Sequence, residues 1–577
     1  MDYYSNRFAV FSAFLAGFFL LFFSLTYSSV QAAEPPINKV NRAVDKIQRE
    51  QQEKVQRQRQ LDQQRSKQTE PQPLPEITPP SLPESGICRE INEIVLTGVT
   101  LLPADTVKSL VHPYLHKCLY SSDVEKLLAD ILKAYIDRGY IGVRPYIQAQ
   151  DLSRGRLEIL ILEGKVEGFI LQDGEKHSIN LVTAFPFVEG KPLNLRDIEQ
   201  GLDQVNRLAS NNATMAIMPG ESPGGSIINI NNTPTFPLSA YFSLNNLGSP
   251  STGEYQGSAT ISLDNPFRLN DFITYTRMQT LFEPGREKDS VSDSFFYSLP
   301  LGYLTLNLSY SYSTYRTPVP TSFRVLESRG STETFYGGLN WVVYRDQVQE
   351  LTANIAVNAT SSKNYLEDEF LRVSSRDLSL LDLDLNWNRR FSGFNVNLGL
   401  GWSKGQKWFG ALEDPANLDG AAPHAQGSKL RITGGVQSSF ELYSHIYSFS
   451  SQLTGQHAFN PLYGSEYITI GSYYSVRGFN KYSLAGDRGY FVRNELSTIL
   501  PKLPFWDISL SPFIGLDGGW IVGYKDTDSA TLSGGAAGIR FHSKYVTGEL
   551  SVAQAISVPD TIERESAQFS AAMTLYF

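Results

Sequence analysis

Two local patterns in the chain contain residue types that could support catalysis or metal binding. Residues 401–405 read Gly-Trp-Ser-Lys-Gly, which matches the G-x-S-x-G pattern of serine hydrolases. That motif requires a strand, a sharp turn and a helix, whereas here it follows an alternating strand, so we interpret the match as chance. His112 and His116 have the spacing of a metal-binding pair on a helix, but Pro113 lies between them and no third ligand is evident.

Two lysines that follow glycine could belong to a phosphate-binding loop, but the surrounding residues do not match that motif. Lys165 and Lys191 each follow a glycine, yet both lack the upstream glycine and the following Ser or Thr of a phosphate-binding loop. The sequence therefore predicts a protein that is not an enzyme and that carries no metal or cofactor.

The net charge of -9, from 50 Lys and Arg against 59 Asp and Glu, argues against a nucleic-acid partner, which would require a basic face.

The remaining reactive groups are the thiols of Cys88 and Cys118, whose chemistry depends on the compartment. Arg7 precedes a long apolar run, and residues 30–33 read Val-Gln-Ala-Ala, the small-residue pattern of a signal-peptidase site. We predict a secretory signal peptide over residues 1–32. Because the apolar run is long, a signal anchor is the alternative.

An exported chain would meet oxidising conditions, in which Cys88 and Cys118 can form a disulfide. By loop entropy, such a bridge would stabilise its domain by about 3 to 4 kcal/mol. The bridge would be structural rather than catalytic, because the sequence has no C-x-x-C spacing. Two unpaired buried thiols are the alternative.

The segment from 33 to 70 is polar and helix-prone. Between Ile37 and Gln68 it contains no Gly or Pro, and its apolar stripe lasts only about three turns. A helix that is polar on nearly all sides must lie in water, in a polar cavity or against a partner. Disorder is the alternative that the composition leaves open. Six prolines in residues 71–85 then predict an extended linker, which cannot continue the helix.

Residues 86–164 predict a small α+β domain with the element order β-α-α-β-β. We expect its first strand over residues 91–96, because this stretch is apolar and ends shortly before a glycine. Ser122 and Glu125 predict a capping box at the start of its longer helix.

Residues 165–235 predict a second α+β domain of similar order. Asn194 is expected to cap a helix whose apolar residues recur at helical spacing. Each of the two domains would present the edge of a short sheet beside a helix.

The region 236–577 alternates between apolar and polar residues without a helical period, for example over 304–312 and 381–387. Soluble β-sandwich strands also alternate. However, the length of the region gives roughly sixteen strands at about 20 residues per strand and turn, and the last strand ends on the aromatic Phe577. After residue 30 there is no apolar run long enough for a membrane helix. We therefore predict a transmembrane antiparallel β-barrel of about 16 strands.

Several longer motifs accompany this order of elements. They are Asp-Leu-Ser-Arg-Gly-Arg-Leu at 151–157, Asn-Arg-Leu at 206–208, Met-Pro-Gly at 218–220, Val-Arg-Gly-Phe at 476–479, Gly-Asp-Arg-Gly-Tyr at 486–490, Arg-Asn-Glu-Leu at 493–496 and Phe-Ile-Gly-Leu-Asp-Gly-Gly at 513–519. With these motifs the chain resembles, over nearly its whole length, the outer-membrane transporters of two-partner secretion (TpsB type, ShlB/FhaC/HecB and CdiB-like) within the Omp85 superfamily.

The resemblance implies a pore in the outer membrane of a Gram-negative bacterium. Such a pore recognises and translocates one large unfolded β-helical exoprotein, which is a haemolysin, an adhesin or a contact-dependent toxin. The two α+β domains would be periplasmic POTRA domains that capture this partner by β-augmentation. Residues 33–70 would form a plug helix in the lumen of the resting barrel.

The resemblance also implies the other partners of the chain. They are outer-membrane lipid and, during biogenesis, periplasmic chaperones and the barrel assembly machinery, for which Phe577 would be the C-terminal signal. We expect a monomer. An Omp85-type insertase that assembles other outer-membrane proteins is the alternative, although such proteins usually carry more POTRA domains and lack a plug helix.

A lumenal site follows from the same resemblance. Val476, Arg477, Gly478 and Phe479 would lie at the tip of a long extracellular loop that folds back into the lumen, where Arg477 would meet Asp517 on the barrel wall. The local pattern agrees, because apolar residues alternate outward before Asp517 and leave its carboxylate facing inward. An arginine and a carboxylate can then form a bidentate pair. A solvated arginine in an extracellular loop is the alternative.

Overall fold

The computed structural model of the protein comprises a helix, two α+β domains and a closed β-barrel in chain order. The residues that it describes are 36–64, 88–174, 178–283, 287–320, 324–501, 507–523, 529–560 and 562–577. The signal peptide predicted for 1–32 and the linker predicted for 71–85 lie outside the described residues.

Helix α1 extends from Pro36 to Gln64, and its 29 residues give a length of about 43 Å at 1.5 Å per residue. It is rich in Gln, Arg, Lys and Glu, which lose little side-chain freedom in a helix. Val44 and Ile47 are buried although most of the helix is polar. Of the two possibilities that the composition leaves open, the described part is therefore helical. Among the helices described, none combines the length and the apolar character of a bilayer span.

The first α+β domain contains two small sheets and two helices. Its elements are β1 (Arg89–Ile91), β2 (Glu93–Thr97), α2 (Ala104–Val111), β3 (Lys117–Leu119), α3 (Ser121–Ile136), β4 (Arg144–Tyr146) and β5 (Arg156–Leu162), with short 3-10 helices at His112–Tyr114 and Leu152–Arg154. The main sheet has the order β2-β5-β4, and β1 pairs with β3 beside it. The buried face of α3, with Leu127, Ile131 and Tyr135, belongs to the core of this domain.

The first strand of this domain differs from the prediction. Residues 91–96 are divided between β1 and β2, which belong to different sheets. The chain bends because the backbone amides of Asn92 and Glu93 both donate to the carbonyl oxygen of Gly155, at 2.7 and 3.1 Å. A turn more than 60 residues further along the chain therefore ends the strand, and local apolarity could not reveal it.

The predicted capping box of α3 is also wrong. The helix begins at Ser121, one residue before Ser122, so that Asp123 occupies the third helical position. Its carboxylate accepts a hydrogen bond from the backbone amide of Tyr120 at 2.9 Å. Glu125 therefore lies too far into the helix to form the cap.

A disulfide joins Cys88 to Cys118, across Cα atoms that are 5.3 Å apart. The two residues are separated by 30 positions in the sequence. The bridge fixes the chain just before β1 to the strand that pairs with β1, and so closes the small sheet.

We expect replacement of both cysteines by serine to lower the free energy of unfolding of this domain by about 3 kcal/mol, because the unfolded chain regains the entropy of the open loop. Urea unfolding of the full-length protein, read by pulse proteolysis of this domain, measures the change. Dithiothreitol should destabilise the natural protein to a similar extent and leave the double variant unaffected. An unchanged urea midpoint in the double variant would contradict the prediction.

The second α+β domain has one three-stranded sheet covered by helices. Its elements are β6 (Lys165–Gln172), α4 (Leu181–Ala184), α5 (Leu195–Asn206), β7 (Thr214–Pro219) and β8 (Gly225–Asn231), and the sheet order is β6-β8-β7. As predicted, Asn194 caps α5, because its Oδ1 accepts a hydrogen bond from the amide of Arg196 at 2.9 Å. Ile198, Leu202 and Val205 on α5 are buried in the core of this domain.

A closed antiparallel barrel of 16 long strands follows, as the sequence predicts. These strands are β9 (Leu238–Asn245), β10 (Gln256–Asp264), β11 (Phe272–Thr280), β12 (Asp289–Leu301), β13 (Leu304–Pro320), β14 (Val325–Arg345), β15 (Gln349–Leu366), β17 (Arg376–Phe391), β18 (Phe394–Gln406), β19 (Ser428–Leu442), β20 (His445–Ala458), β23 (Arg488–Thr498), β24 (Ser509–Val522), β25 (Ser529–His542), β26 (Val546–Ser557) and β27 (Gln568–Tyr576). Strand β16 (Glu369–Phe370) extends β15 at the rim, and β21 (Ile468–Ile470) pairs with β22 (Leu484–Gly486) in a separate hairpin. Closure joins β27 to β9 from Ala572 opposite Asn245 to Tyr576 opposite Tyr241.

The barrel reverses the usual distribution of polarity. Large apolar residues such as Ile514 and Leu516 are exposed on the outer face, whereas Asp517 on the same strand is buried on the inner face. Ser403 and Asp382 are likewise buried on the inner face of neighbouring strands. An apolar outer face and a polar interior are typical of outer-membrane barrels.

The two rims of the barrel differ in their connections. Strand β9 begins soon after the second α+β domain, and on that rim residues 302–303 alone join β12 to β13. The opposite rim carries the long connections 407–427 and 459–487. Bacterial barrels have short periplasmic turns and longer extracellular loops, so the α+β domains lie on the periplasmic side.

Candidate functional site

Residues 459–487, which we term the inward loop, connect β20 to β23 and fold into the lumen. The hairpin of β21 and β22 packs against β24 on the barrel wall. Val476 and Phe479 in this loop are buried. They pack in one apolar cluster with Ile468, Ile470, Ile521, Leu532 and Ala555. This apolar cluster lies within an otherwise polar lumen, and it holds the loop against the wall strands β24, β25 and β26.

Arg477 and Asp517 lie in direct contact. The backbone amide of Arg477 donates to Asp517 Oδ2 at 3.1 Å, its Nε to the same oxygen at 2.6 Å, and its Nη2 to Oδ1 at 2.8 Å. Arg477 is only 3% exposed and the side chain of Asp517 is fully buried. The pair is therefore bidentate and desolvated, which makes its geometry specific.

Three further charged residues on the wall extend this pair, and none of them is among the site residues that the sequence predicts. Arg477 Nη1 donates to Glu495 Oε2 at 3.1 Å, and the guanidinium of Arg540 donates to both oxygens of Glu495. Arg540 Nε also donates to Glu549 Oε2 at 2.8 Å, and Tyr473 OH of the inward loop donates to Glu549 Oε1 at 2.6 Å. The loop is thus held by an alternating chain of charges across β23, β24, β25 and β26.

Gly478 is required by the close approach of the loop to the wall. Its φ of +97° favours glycine. A side chain at this position would also meet the backbone of Gln554 and Ala555 on β26. Each of the four residues of the 476–479 motif therefore has a structural role at the contact between the inward loop and the wall.

Helix α1 lies in the lumen and contacts the wall mainly through polar groups. Gln51 Oε1 accepts a hydrogen bond from Thr332 Oγ1 at 3.3 Å, and Gln58 Nε2 donates to Thr276 Oγ1 at 3.3 Å. The helix therefore contacts wall residues on two strands, β14 and β11. Its apolar contribution to the wall contact is a small cluster of Val44 with Val319, Leu366 and Leu371.

The helix and the inward loop also contact each other. Arg49 Nη1 donates to the carbonyl oxygen of Gly464 at 2.8 Å, and the Arg57 guanidinium lies 3.0 Å from the centre of the Tyr474 ring. Such cation–π contacts add to the polar contacts when they are partly desolvated. The two lumenal segments are therefore packed as one unit.

The second α+β domain is docked on the periplasmic rim through charged groups. Arg207, which follows α5, donates to Ser298 Oγ at 2.5 Å and to the carbonyl oxygen of Asn270 at 3.2 Å. Arg345 Nη1 lies 2.5 Å from Asp203 Oδ2. These contacts place α5 at the periplasmic mouth of the lumen. The Asn-Arg-Leu motif at 206–208 is therefore a docking element.

The partly buried carboxylate of Glu163 organises the loop that follows β2 in the first α+β domain. Glu163 accepts hydrogen bonds from the amides of Thr100 and Leu101 at 2.8 and 3.0 Å and from Tyr135 OH at 2.7 Å. Burial raises the pKa of Glu163, but these hydrogen bonds outweigh it and the pKa lies below its usual range. The loop after β2 is thus fixed, and β2 and β4 remain the edges of the described sheet.

The C-terminal residue lies at the seam of the barrel. The amide of Phe577 donates to the carbonyl oxygen of Ala240 at 2.9 Å. Its side chain is 80% exposed, on the side of Phe569 and Met573. The terminal aromatic ring therefore faces outward where the first and last strands meet.

The patterns set aside in the sequence lie in places without catalytic geometry. Ser403 is within β18 and donates to Asp382 Oδ1 at 2.5 Å. His116 contacts Asn92 Oδ1 through Nδ1 at 3.2 Å, whereas His112 begins a 3-10 helix. Within the described ranges, no group of three or more His, Cys, Asp or Glu is positioned to hold a metal ion.

Three family models match this chain. Residues 224–541 match the family "Haemolysin secretion/activation protein ShlB/FhaC/HecB". Residues 90–164 match the ShlB-type POTRA domain, and residues 165–219 match a second POTRA model. The matches follow the order of the two α+β domains and the barrel.

Individual proteins agree with the family models. The chain is 32% identical over 485 residues to "Outer membrane transporter CdiB" of Dickeya dadantii (strain 3937), covering 83% of this chain and 85% of that protein. It is 30% identical over 475 residues to "Hemolysin transporter protein ShlB" of Serratia marcescens, covering 81% and 82%. The solved structure of CdiB from Escherichia coli superposes with a TM-score of 0.82 at 28% identity, over 95% of this chain and 100% of that one.

These relatives are transporters rather than enzymes, and the docked second POTRA domain, the lumenal helix and the inward loop of this chain are consistent with that role. The barrel with its apolar outer face locates the protein in the Gram-negative outer membrane. The chain therefore belongs to the ShlB/FhaC/HecB family and is an outer-membrane transporter of two-partner secretion.

Proposed function

We propose that this transporter exports one large unfolded β-helical exoprotein, a haemolysin, an adhesin or a contact-dependent toxin, and that α1 closes the pore until export begins. The observation that carries the proposal is the placement of α1 and the inward loop inside the barrel, in contact with the inner face of the wall. Barrels of sixteen strands otherwise leave an aqueous channel. Because α1 is held mainly by polar contacts, water can replace them at a small net cost when the helix leaves.

The POTRA domains would capture the exoprotein in an extended form. In the described part of the chain, β7 lies at one edge of the second POTRA sheet, and Ile217 on this strand is partly exposed. An extended segment can add to such an edge through main-chain hydrogen bonds, while side-chain pockets select its sequence. The contacts of Arg207 and Arg345 with the rim would then deliver the captured segment to the mouth of the lumen.

Further partners and states belong to the proposal. The outer face of the barrel contacts outer-membrane lipid, and the protein acts as a monomer without enzymatic activity. During biogenesis, periplasmic chaperones and the barrel assembly machinery bind the chain, with Phe577 as the C-terminal signal. The Cys88–Cys118 disulfide keeps the first POTRA domain folded.

Deleting the transporter from its host distinguishes this function from that of an insertase. We expect one very large exported protein, encoded beside the transporter and carrying an N-terminal secretion domain, to disappear from the medium and cell surface. The other outer-membrane barrels should remain at normal amounts in a quantitative proteome. Loss of many barrels instead would establish the insertase and overturn the proposal.

A further inference from the structure

A second carboxylate, that of Glu565, holds the inward loop outside the Arg477 site. Glu565, on the extracellular connection between β26 and β27, is only 6% exposed. Its carboxylate accepts hydrogen bonds from three successive backbone amides, those of Asn480 at 3.0 Å, Lys481 at 3.1 Å and Tyr482 at 2.9 Å. Successive amides that converge on one anion form a strong, charge-assisted cradle.

The segment 480–482 also contacts other parts of the molecule. Residues 480–482 directly follow the 476–479 motif. The side chain of Asn480 donates to Glu254 Oε1 at 3.2 Å on the first extracellular connection of the barrel. From α1, Lys46 Nζ donates to the carbonyl oxygen of Lys481 at 2.9 Å. The cradle therefore joins the inward loop, α1 and two extracellular connections at one point.

The contacts of Asp517 and of Glu565 with the inward loop involve different groups of the loop and come from different parts of the barrel. Asp517 holds the side chain of Arg477 from the wall, whereas Glu565 holds the loop backbone from an extracellular connection. Loss of one therefore leaves the other intact. The cradle also requires both carboxylate oxygens, since Oε2 accepts from Asn480 and Oε1 from Tyr482.

We propose that Glu565 is a positioning residue of the closed pore, a second latch that holds the inward loop and the adjoining end of α1 in the resting position. This inference rests on the proposed closed state of the pore. Release of the Glu565 latch lets the segment 480–482 move outward while Arg477 is still bound. The latch therefore sets how often the pore opens without substrate, and the Arg477 site sets whether export proceeds.

The test uses Glu565→Gln, which keeps the shape of the side chain but has one acceptor oxygen and an amide donor in place of the second. Its matched control is Glu563→Gln, which removes the same charge from an exposed residue of the same connection. Trypsin added to intact cells reports the latch, because the Lys481 side chain is exposed while its backbone is held. Cleavage after Lys481 requires the segment to open locally.

We expect Glu565→Gln to be cleaved after Lys481 at least about fivefold faster than Glu563→Gln, as loss of one net hydrogen bond implies. In planar bilayers it should open more often, while secretion stays within about twofold of the natural protein because the Arg477 site is intact. Heat-modifiable migration in gels verifies that each barrel is folded. Equal cleavage of the two variants overturns the latch, even if cross-linking of α1 still blocks export.

Glu565→Asp serves as a second variant if Glu565→Gln does not insert. It retains both acceptor oxygens but is one methylene shorter, so its cleavage rate should lie between those of the natural protein and of a variant without the carboxylate. Cleavage of Glu565→Asp at the rate of Glu563→Gln, together with unchanged bilayer opening, also overturns the proposal.

Discussion

Replacement of Arg477 by alanine is expected to leave the barrel inserted in the outer membrane and to lower secretion of the partner by at least about tenfold, a loss equivalent to about 1.4 kcal/mol. The substitution leaves the buried carboxylate of Asp517 without its cation, and Glu495 loses one of its two. Removing one partner of a buried ion pair typically costs about 3–5 kcal/mol. The inward loop then has no fixed position against the wall.

The barrel itself should tolerate this change. The ladder between β23 and β24 runs from Arg488 opposite Val522 to Ser497 opposite Phe513 and does not involve the inward loop. Heat-modifiable migration should therefore match that of the natural protein, whereas immunoblots of the medium should show little partner. Normal secretion at a normal amount of transporter would show that the pair has no role in export.

Two further variants separate geometry from charge at this site. Arg477→Lys retains the charge but cannot form the bidentate contact, so secretion should fall less than in Arg477→Ala. In a double-mutant cycle, Asp517→Asn should add little to Arg477→Ala if the two residues act through each other. Arg372→Ala removes an exposed arginine from another extracellular connection and should secrete normally.

The sequence allowed the barrel and its main site to be predicted for different reasons. Alternating polarity over 236–577 depends on local geometry, and closure follows because lipid cannot satisfy an open sheet edge. The contact between Arg477 and Asp517 came from matching motifs, since neither residue type nor spacing specifies a pair 40 residues apart in sequence.

Residues that complete the site could not be found in this way. Arg540 and Glu549 face each other only because β25 and β26 pair in one particular register. A shift of one residue in this register would place the two side chains on opposite faces of the sheet. Glu565 lies on an irregular connection without periodicity, and its role depends on backbone amides, which have no sequence signal. Contacts set by register and by loop backbone are therefore the ones that the sequence leaves undetermined.

A covalent cross-link between α1 and the barrel wall is expected to abolish export in proportion to the fraction of molecules that it joins. The side chains of Gln51 and Thr332 are in contact, with 3.3 Å between Oε1 and Oγ1. Cysteine ends two bonds short of the glutamine oxygen, so direct oxidation of the pair is not expected. We expect the double variant Gln51→Cys with Thr332→Cys to be joined instead by a short bis-methanethiosulfonate reagent, which bridges two thiols through two disulfides. A translocating chain needs the space that α1 occupies, since a helix with its side chains is about 10–12 Å wide.

The matched control cross-links the wall to itself. Thr332 and Ser362 face each other on β14 and β15, with their hydroxyl oxygens 3.5 Å apart. A Thr332→Cys and Ser362→Cys pair therefore joins two strands that remain paired in any case, and it should secrete normally when cross-linked by the same reagent. Dithiothreitol should restore export only in the Gln51 pair, while the native disulfide is reduced equally in both. Secretion at the natural rate by fully cross-linked Gln51→Cys and Thr332→Cys protein would mean that α1 stays in the lumen during export, and the exoprotein would have to pass beside it.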